Sequence, residues 1–173
     1  IHESDKALEE LVSYYLESNE KTMIVFFGDH QPPLATDLYA WLTDSDLNTL
    51  NPEAQKPLYE VPFFIWANYD IGSQTGLETS PAGLGAMTAK LAGLPMTGLH
   101  EFLEGFQEVF TGILPIGLVR ADGSIIQGPD EMTEAERQMH EDYDTLTYCG
   151  LTDQFEGTEA LFHPDGQNER APG

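Results

Sequence analysis

Thr22-Met23-Ile24-Val25-Phe26-Phe27-Gly28-Asp29-His30 is the stretch that decides how this chain is read. Residues 22–27 are rich in β-branched and aromatic side chains and show no polar alternation. That pattern predicts a strand buried on both faces, as in a parallel sheet. Gly28 then allows the backbone to turn. A carboxylate and an imidazole follow at the carboxyl end of the strand, where open α/β sheets place their ligands. Adjacent strand residues point to opposite faces, so Asp29 and His30 meet on one ion only if the strand has already ended. A hard carboxylate beside a borderline imidazole suits Zn or Mn better than Ca. The same residues also read as an ordinary turn, with Asp29 bonding nearby amides and His30 half-exposed. The tripeptide leaves both readings open, because no Cys or His cluster in the sequence supplies a third ligand.

The surroundings of that stretch are α/β in character. Leu8, Leu11, Val12, Tyr15 and Leu16 recur at helical spacing and predict an amphipathic helix over residues 4–18. Pro32-Pro33 favours an extended exit after His30, before a short helix over 36–42. Residues 43–56 read as a loop with at most one helical turn. Val61-Pro62-Phe63-Phe64-Ile65-Trp66-Ala67 predicts a second strand, with its proline early, where a strand tolerates it best.

Two further helices lead to the C-terminal third, which reads differently, as a hairpin with helices. A helix over 81–92 starts with Ser80-Pro81 and stops at Gly93. Another is predicted over 99–110. Asp122-Gly123 between short apolar runs predicts a hairpin of 116–120 and 124–127. A last helix is expected over 133–148, ended by Gly150, with acids crowding its amino end. Residues 163–173 have the composition of a frayed tail.

Composition narrows the function. Thirty Asp plus Glu stand against seven Lys plus Arg, for a formal net charge of −23. Such a surface repels nucleic acid and anionic membrane, so neither is expected as a direct partner. A phosphate or sulfate ester would need a metal ion or basic groups from elsewhere to hold it. Cys149 is the sole cysteine, so no intramolecular disulfide forms. No stretch approaches the roughly 20 apolar residues of a membrane span. The start at Ile1-His2-Glu3, without Met, reads as a piece of a longer protein.

Competing chemistries find little support. There is no Gly-x-Ser-x-Gly elbow, no phosphate loop and no dinucleotide glycine pattern. Asp44 and Asp46 lack the glycine and glutamate of a calcium-binding hand. Cys149 follows a helix in an acidic stretch, which disfavours a thiolate. His2, His100, His140 and His163 read as surface or packing histidines.

The stretch Ile1-His2-Glu3-Ser4-Asp5-Lys6-Ala7-Leu8, running into Thr22 through His30, resembles the late part of the sulfatase domain in lipoteichoic acid synthase-like proteins, of the alkaline phosphatase superfamily. Residues 61–69 are similar to the next core strand of that domain. Tyr143-Asp144-Thr145-Leu146, through Phe155 and Phe162, is similar to its C-terminal end. The likeness spans nearly the whole chain, strongest over 1–70 and loosest over 112–140. It implies a partial sulfatase-like α/β sheet flanked by helices over 1–110, a hairpin-and-helix extension over 111–162, and a flexible tail over 163–173.

The resemblance also implies an activity: phosphoglycerol transfer or sulfatase-like hydrolysis on phosphate or sulfate esters of cell-envelope glycopolymers or lipids. Asp29 and His30 become ligands of a divalent metal, Mn rather than Zn. The metal activates a hydroxyl nucleophile that displaces an alcohol, and water or a second alcohol resolves the covalent ester. No residue of this chain is assigned as catalytic or as binding an organic cofactor. The threonine nucleophile, a glutamate ligand and the phosphate-holding His and Arg are expected upstream, in the other half of the same domain. The parent is expected to be an enzyme anchored to a membrane on its extracytoplasmic side. This chain alone is expected to be inactive, and to self-associate through the sheet surface the other half would cover. A non-catalytic acidic α/β binding or structural module is the alternative.

Overall fold

A computed structural model describes residues 2–32, 34–46 and 49–163. Helix α1 (His2–Leu16) leads to strand β1 (Met23–Phe27). Asn68 staples the two together. Its side-chain amide donates to the Tyr15 and Glu20 carbonyls at 2.9 and 2.8 Å, and its Oδ1 accepts from the Thr22 amide at 2.9 Å. A helix end leaves carbonyls without an intrahelical partner; the Ser18 amide and this side chain share the Tyr15 carbonyl, and the side chain also fixes where the strand begins.

Strand β1 pairs with β2 (Phe63–Ala67), Met23 facing Ala67 and Phe27 facing Phe63. The pairing is antiparallel, which corrects the parallel sheet expected from the unbroken apolar run. Nor is β1 buried on both faces: no residue of either strand is fully buried, and Phe27 is 54% exposed. Two strands alone form this sheet among the described residues. Part of its apolar surface is taken up across the strands instead, where Phe26 stacks on Phe64 with ring centroids 5.3 Å apart. Helix α2 (Thr36–Thr43), the four-residue helix α3 (Pro52–Gln55) and a 3₁₀ turn at Lys56–Leu58 link the two strands.

The core lies further along. Helix α4 (Pro81–Leu91) is capped by the Ser80 hydroxyl, which accepts from the Gly83 amide. Helix α5 (Gly98–Val109) opens with a capping box between Thr97 and His100. It stops one residue sooner than the sequence suggests. Phe110 is extended (φ −122°, ψ 107°) and begins strand β3 (Phe110–Leu114). The expected hairpin is therefore a three-stranded antiparallel sheet of β3, β4 (Gly117–Arg120) and β5 (Ile125–Ile126). The sequence hides β3 because Gly112 interrupts its short apolar run and Pro115 follows at once.

Phe106, Phe110, Leu118 and Ile126 form the buried cluster, flanked by Phe102, Met132, Met139 and Tyr143. Tyr143 stacks on Phe106 at 4.6 Å. Phe106 is only 1% exposed, and full burial of such a side chain contributes about 1.5–3 kcal/mol. Helix α6 (Glu134–Thr152) delivers Tyr143 to that cluster. It runs through Gly150 and ends at Asp153, which takes the left-handed conformation (φ 56°) that aspartate tolerates. Cys149 consequently lies inside the helix and is buried, not beyond its end. Of the tail expected over 163–173, only His163 is among the described residues.

Arg120, at the end of β4, clamps the amino end of α6. Its guanidinium forks onto both Glu136 oxygens and donates to the Glu131 carbonyl at 2.8 Å. Glu136 also accepts from the Thr133 amide at 2.7 Å. Arg120 first, and Thr133 after it, lower the Glu136 carboxyl from 4.5 to about 2. A depressed carboxyl stabilises the fold fully above its ordinary value and loses that contribution as pH falls toward the folded one. Glu136→Gln, which keeps a residue able to close the capping box, is expected to lower the melting midpoint at pH 7. It should also flatten the loss of stability between pH 4.5 and 2. Melting curves of both proteins across that range check this.

Candidate metal centre

Antiparallel pairing sets the position of the Asp29–His30 pair. The Gly28 amide donates to the Pro62 carbonyl at 3.0 Å, carrying the β1–β2 pairing one residue further. A β-carbon on Gly28 would stand 2.8 Å from Val61 Cβ. Glycine is thus required there by close approach, not by a left-handed backbone. The chain then turns away, and Asp29 and His30 project into solvent with side chains 83% and 70% exposed.

The two side chains converge. Asp29 Oδ2 lies 3.3 Å from His30 Nε2. Asp29 Oδ1 accepts from the His30 amide at 2.9 Å, as the turn reading expects. The other ring nitrogen also has a partner. His30 Nδ1 is 2.8 Å from the Gln31 carbonyl. A carbonyl only accepts, so Nδ1 carries the proton, and in the neutral ring Nε2 then presents a lone pair. Two electron-rich atoms therefore face each other across 3.3 Å, an arrangement that asks for a proton or a metal ion between them. Neighbouring ligands of one transition ion, each about 2.1 Å from it, stand about 3 Å apart, so the pair fits half of a metal site. A metal-bound histidine characteristically donates its other N–H to a carbonyl or carboxylate, as His30 does. Among the described residues no group of three or more His, Cys, Asp or Glu gathers as a fuller ligand set.

The pair sits on the rim of a cleft of about 680 Å³. Tyr39, Tyr59, Leu77 and Ile113 supply apolar wall; Gln31, Glu60, Glu78 and Lys56 supply polar groups. Lys56 Nζ is held 2.9 Å from Glu78 and 3.1 Å from Glu60. Gln107 anchors the far wall. Its Oε1 accepts from the Thr79 hydroxyl at 3.1 Å and the Ser80 amide at 3.3 Å, and its Nε2 donates to the Thr111 carbonyl at 3.1 Å. Sequence reasoning passed over Lys56, Glu60, Glu78 and Gln107, although Lys56 and Glu60 are four residues apart, a spacing that pairs opposite charges on a helical turn. Nothing in spacing ties Glu78 or Gln107 to them; there the available signal was scarcity, since the chain has only seven Lys and Arg in all.

Two of the other histidines have partners of their own. His100 Nδ1 accepts from the Thr97 amide at 3.2 Å in the α5 cap, and His140 lies on α6, 3.7 Å from Asp144.

Because the Asp29 and His30 side chains bury little, Asp29→Ala and His30→Ala should each leave the fold intact while weakening binding of Mn or Zn. Calorimetric metal titration beside melting curves checks this. Unchanged metal binding in both variants would remove the pair from any metal site.

The sulfatase family description matches residues 1–94, a stretch that holds α1 through α4, the β1–β2 pair and the Asp29–His30 turn. A protein of Rhizobium meliloti (strain 1021), described as "Putative cyclic beta-1,2-glucan modification protein", is 32% identical over 111 residues. Those residues are 61% of this chain and 16% of the relative, so the chain spans about one sixth of that protein's length. No solved structure matches. With more than half its residues matched, including the turn that carries the converging carboxylate and imidazole, this chain belongs to the sulfatase family.

Proposed function

We propose that this chain contributes one side of the metal centre of a sulfatase-family phosphoesterase or transferase of the lipoteichoic acid synthase-like kind. The observation that carries the reading is the 3.3 Å approach of Asp29 Oδ2 to a His30 Nε2 whose partner nitrogen is already committed to a carbonyl. Asp29 and His30 would hold a divalent ion, Mn in preference to Zn. When bound, the ion neutralises charge on a phosphate or sulfate ester and lowers the pKa of an attacking hydroxyl. The chain's own residues do the rest of the local work. Asp29 brings negative charge to the ion, and Gln31 fixes the His30 tautomer. The cleft walls exclude part of the water around the ester.

The substrate class follows from two supports. Net charge of −23 leaves an anionic ester dependent on the metal for attraction. A relative named for modification of a cyclic beta-1,2-glucan supports a glycan as one carrier of the ester; phosphate or sulfate esters of cell-envelope glycopolymers or lipids are the class this reading assigns. An enzyme of that kind works outside the cytoplasm, tethered to a membrane by other segments. The hydroxyl nucleophile and the groups that grip the ester come from another part of the same domain. That part also covers the β1–β2 sheet, where Phe26, Phe27 and Phe64 are exposed. The chain by itself is inactive and self-associates through that sheet.

Two measurements test the reading. The longest expressible form of the protein, loaded with Mn, should turn over nitrophenyl phosphate or sulfate esters, and Asp29→Ala or His30→Ala should abolish that turnover. Normal activity and normal metal content in both variants would overturn the assignment. In light scattering, the 173-residue chain should gain mass with concentration. A clean monomer at high concentration would show that the sheet needs no cover.

A further inference from the structure

The geometry points to Lys56 as a positioning residue for the Asp29–His30 pair, acting through Glu60 and Gln31. The inference rests on the proposed metal role of His30. Lys56 sits on the 3₁₀ turn that precedes β2, and its side chain is only 20% exposed. Its ammonium bridges two carboxylates from different walls of the cleft: Glu60, just before β2, and Glu78, just before α4. From Glu60 the connection continues to the metal loop. The Gln31 side-chain amide donates to the Glu60 carbonyl, and the Gln31 carbonyl accepts from His30 Nδ1 at 2.8 Å. The path runs Glu78, Lys56, Glu60, Gln31, His30. The Gln107 amide extends it weakly toward α5, reaching the Glu78 carbonyl at 3.4 Å.

Each link has a physical task. Glu78 first, and Glu60 after it, hold the Lys56 ammonium above its ordinary pKa, so the bridge stays charged throughout the neutral range. Without that ammonium the cleft keeps two carboxylates facing each other with nothing between them. Like charges move apart, and the Glu60 main chain, whose carbonyl accepts from the Gln31 side-chain amide, moves with its carboxylate. Gln31 is the residue whose carbonyl chooses the His30 tautomer. Once it shifts, Nδ1 loses its acceptor, and the ring is free to place its proton on Nε2, the nitrogen the metal requires unprotonated. Groups behind a metal ligand characteristically matter by about 10–100-fold in affinity.

The test uses this chain, labelled with ¹⁵N, at one fixed pH above neutrality. Long-range proton–nitrogen spectra of the imidazoles should show His30 with a protonated Nδ1 and a bare Nε2. Lys56→Met should convert it to a mixture of tautomers and weaken Zn binding by about 10–100-fold. Lys56→Arg should restore both. Gln31→Ala cuts the path without disturbing the ion cluster and should produce the same tautomer mixture. It decides the matter if Lys56→Met fails to fold, as judged by the Tyr143 and Phe106 ring signals. An unchanged His30 tautomer in Gln31→Ala, or in a folded Lys56→Met protein, would overturn the proposal. A wild-type chain that shows the expected tautomer and its loss in the variants, yet binds no Zn, would uphold the positioning path and sink the metal reading instead.

Discussion

Gly28 has no room for a β-carbon, because Val61 Cβ would lie 2.8 Å away. That contact governs much of what surrounds it. It lets the backbone of β1 run close beside the entry to β2, so that the Gly28 amide bonds the Pro62 carbonyl. It thereby brings Gln31 within reach of Glu60, and the orientation of His30 follows from Gln31. A larger side chain at position 28 would push the strands apart where the ligand loop leaves the sheet. The metal pair is therefore positioned by backbone proximity more than by packing around its own side chains, which are mostly in water.

Much of the fold was legible because its signals are local. The Ser80-Pro81 start of α4 and the Asp122-Gly123 turn depend on residues a few positions apart, and both appear where expected. What escaped reading depends on distant partners. The run 22–27 looks buried on both faces, but burial is a property of what packs on a strand, and here neither face is fully covered. Phe110 carries the same apolar character as Phe106, so spacing alone extends the helix through it. Only the pairing with β4 makes it a strand residue. Gly150 resembles a stop signal, yet the turn after it is terminated by Asp153.

The candidate site divides in the same way. Asp29 and His30 are adjacent and could be named from sequence. Lys56 and Glu60 meet through their four-residue spacing, but Glu78 joins them only because the segment before α4 folds against the same cleft. A lysine held by two carboxylates leaves that cluster with a net charge of −1, and Asp29 adds another carboxylate at the rim, so a nearby cation, not this lysine, is the natural counter-charge for an ester anion. The acidic composition is thus consistent with a site that relies on a metal.

The unequal distribution of buried residues carries a consequence for local opening. Among the described residues every fully buried hydrophobic side chain lies between Leu84 and Cys149, while the ligand-bearing sheet has none. Segments with few buried apolar contacts open at lower free energy than a packed core. Backbone amides of the β1–β2 pair therefore exchange with solvent sooner than those around Phe106 and Ile126, and the ligand turn opens with the sheet that carries it.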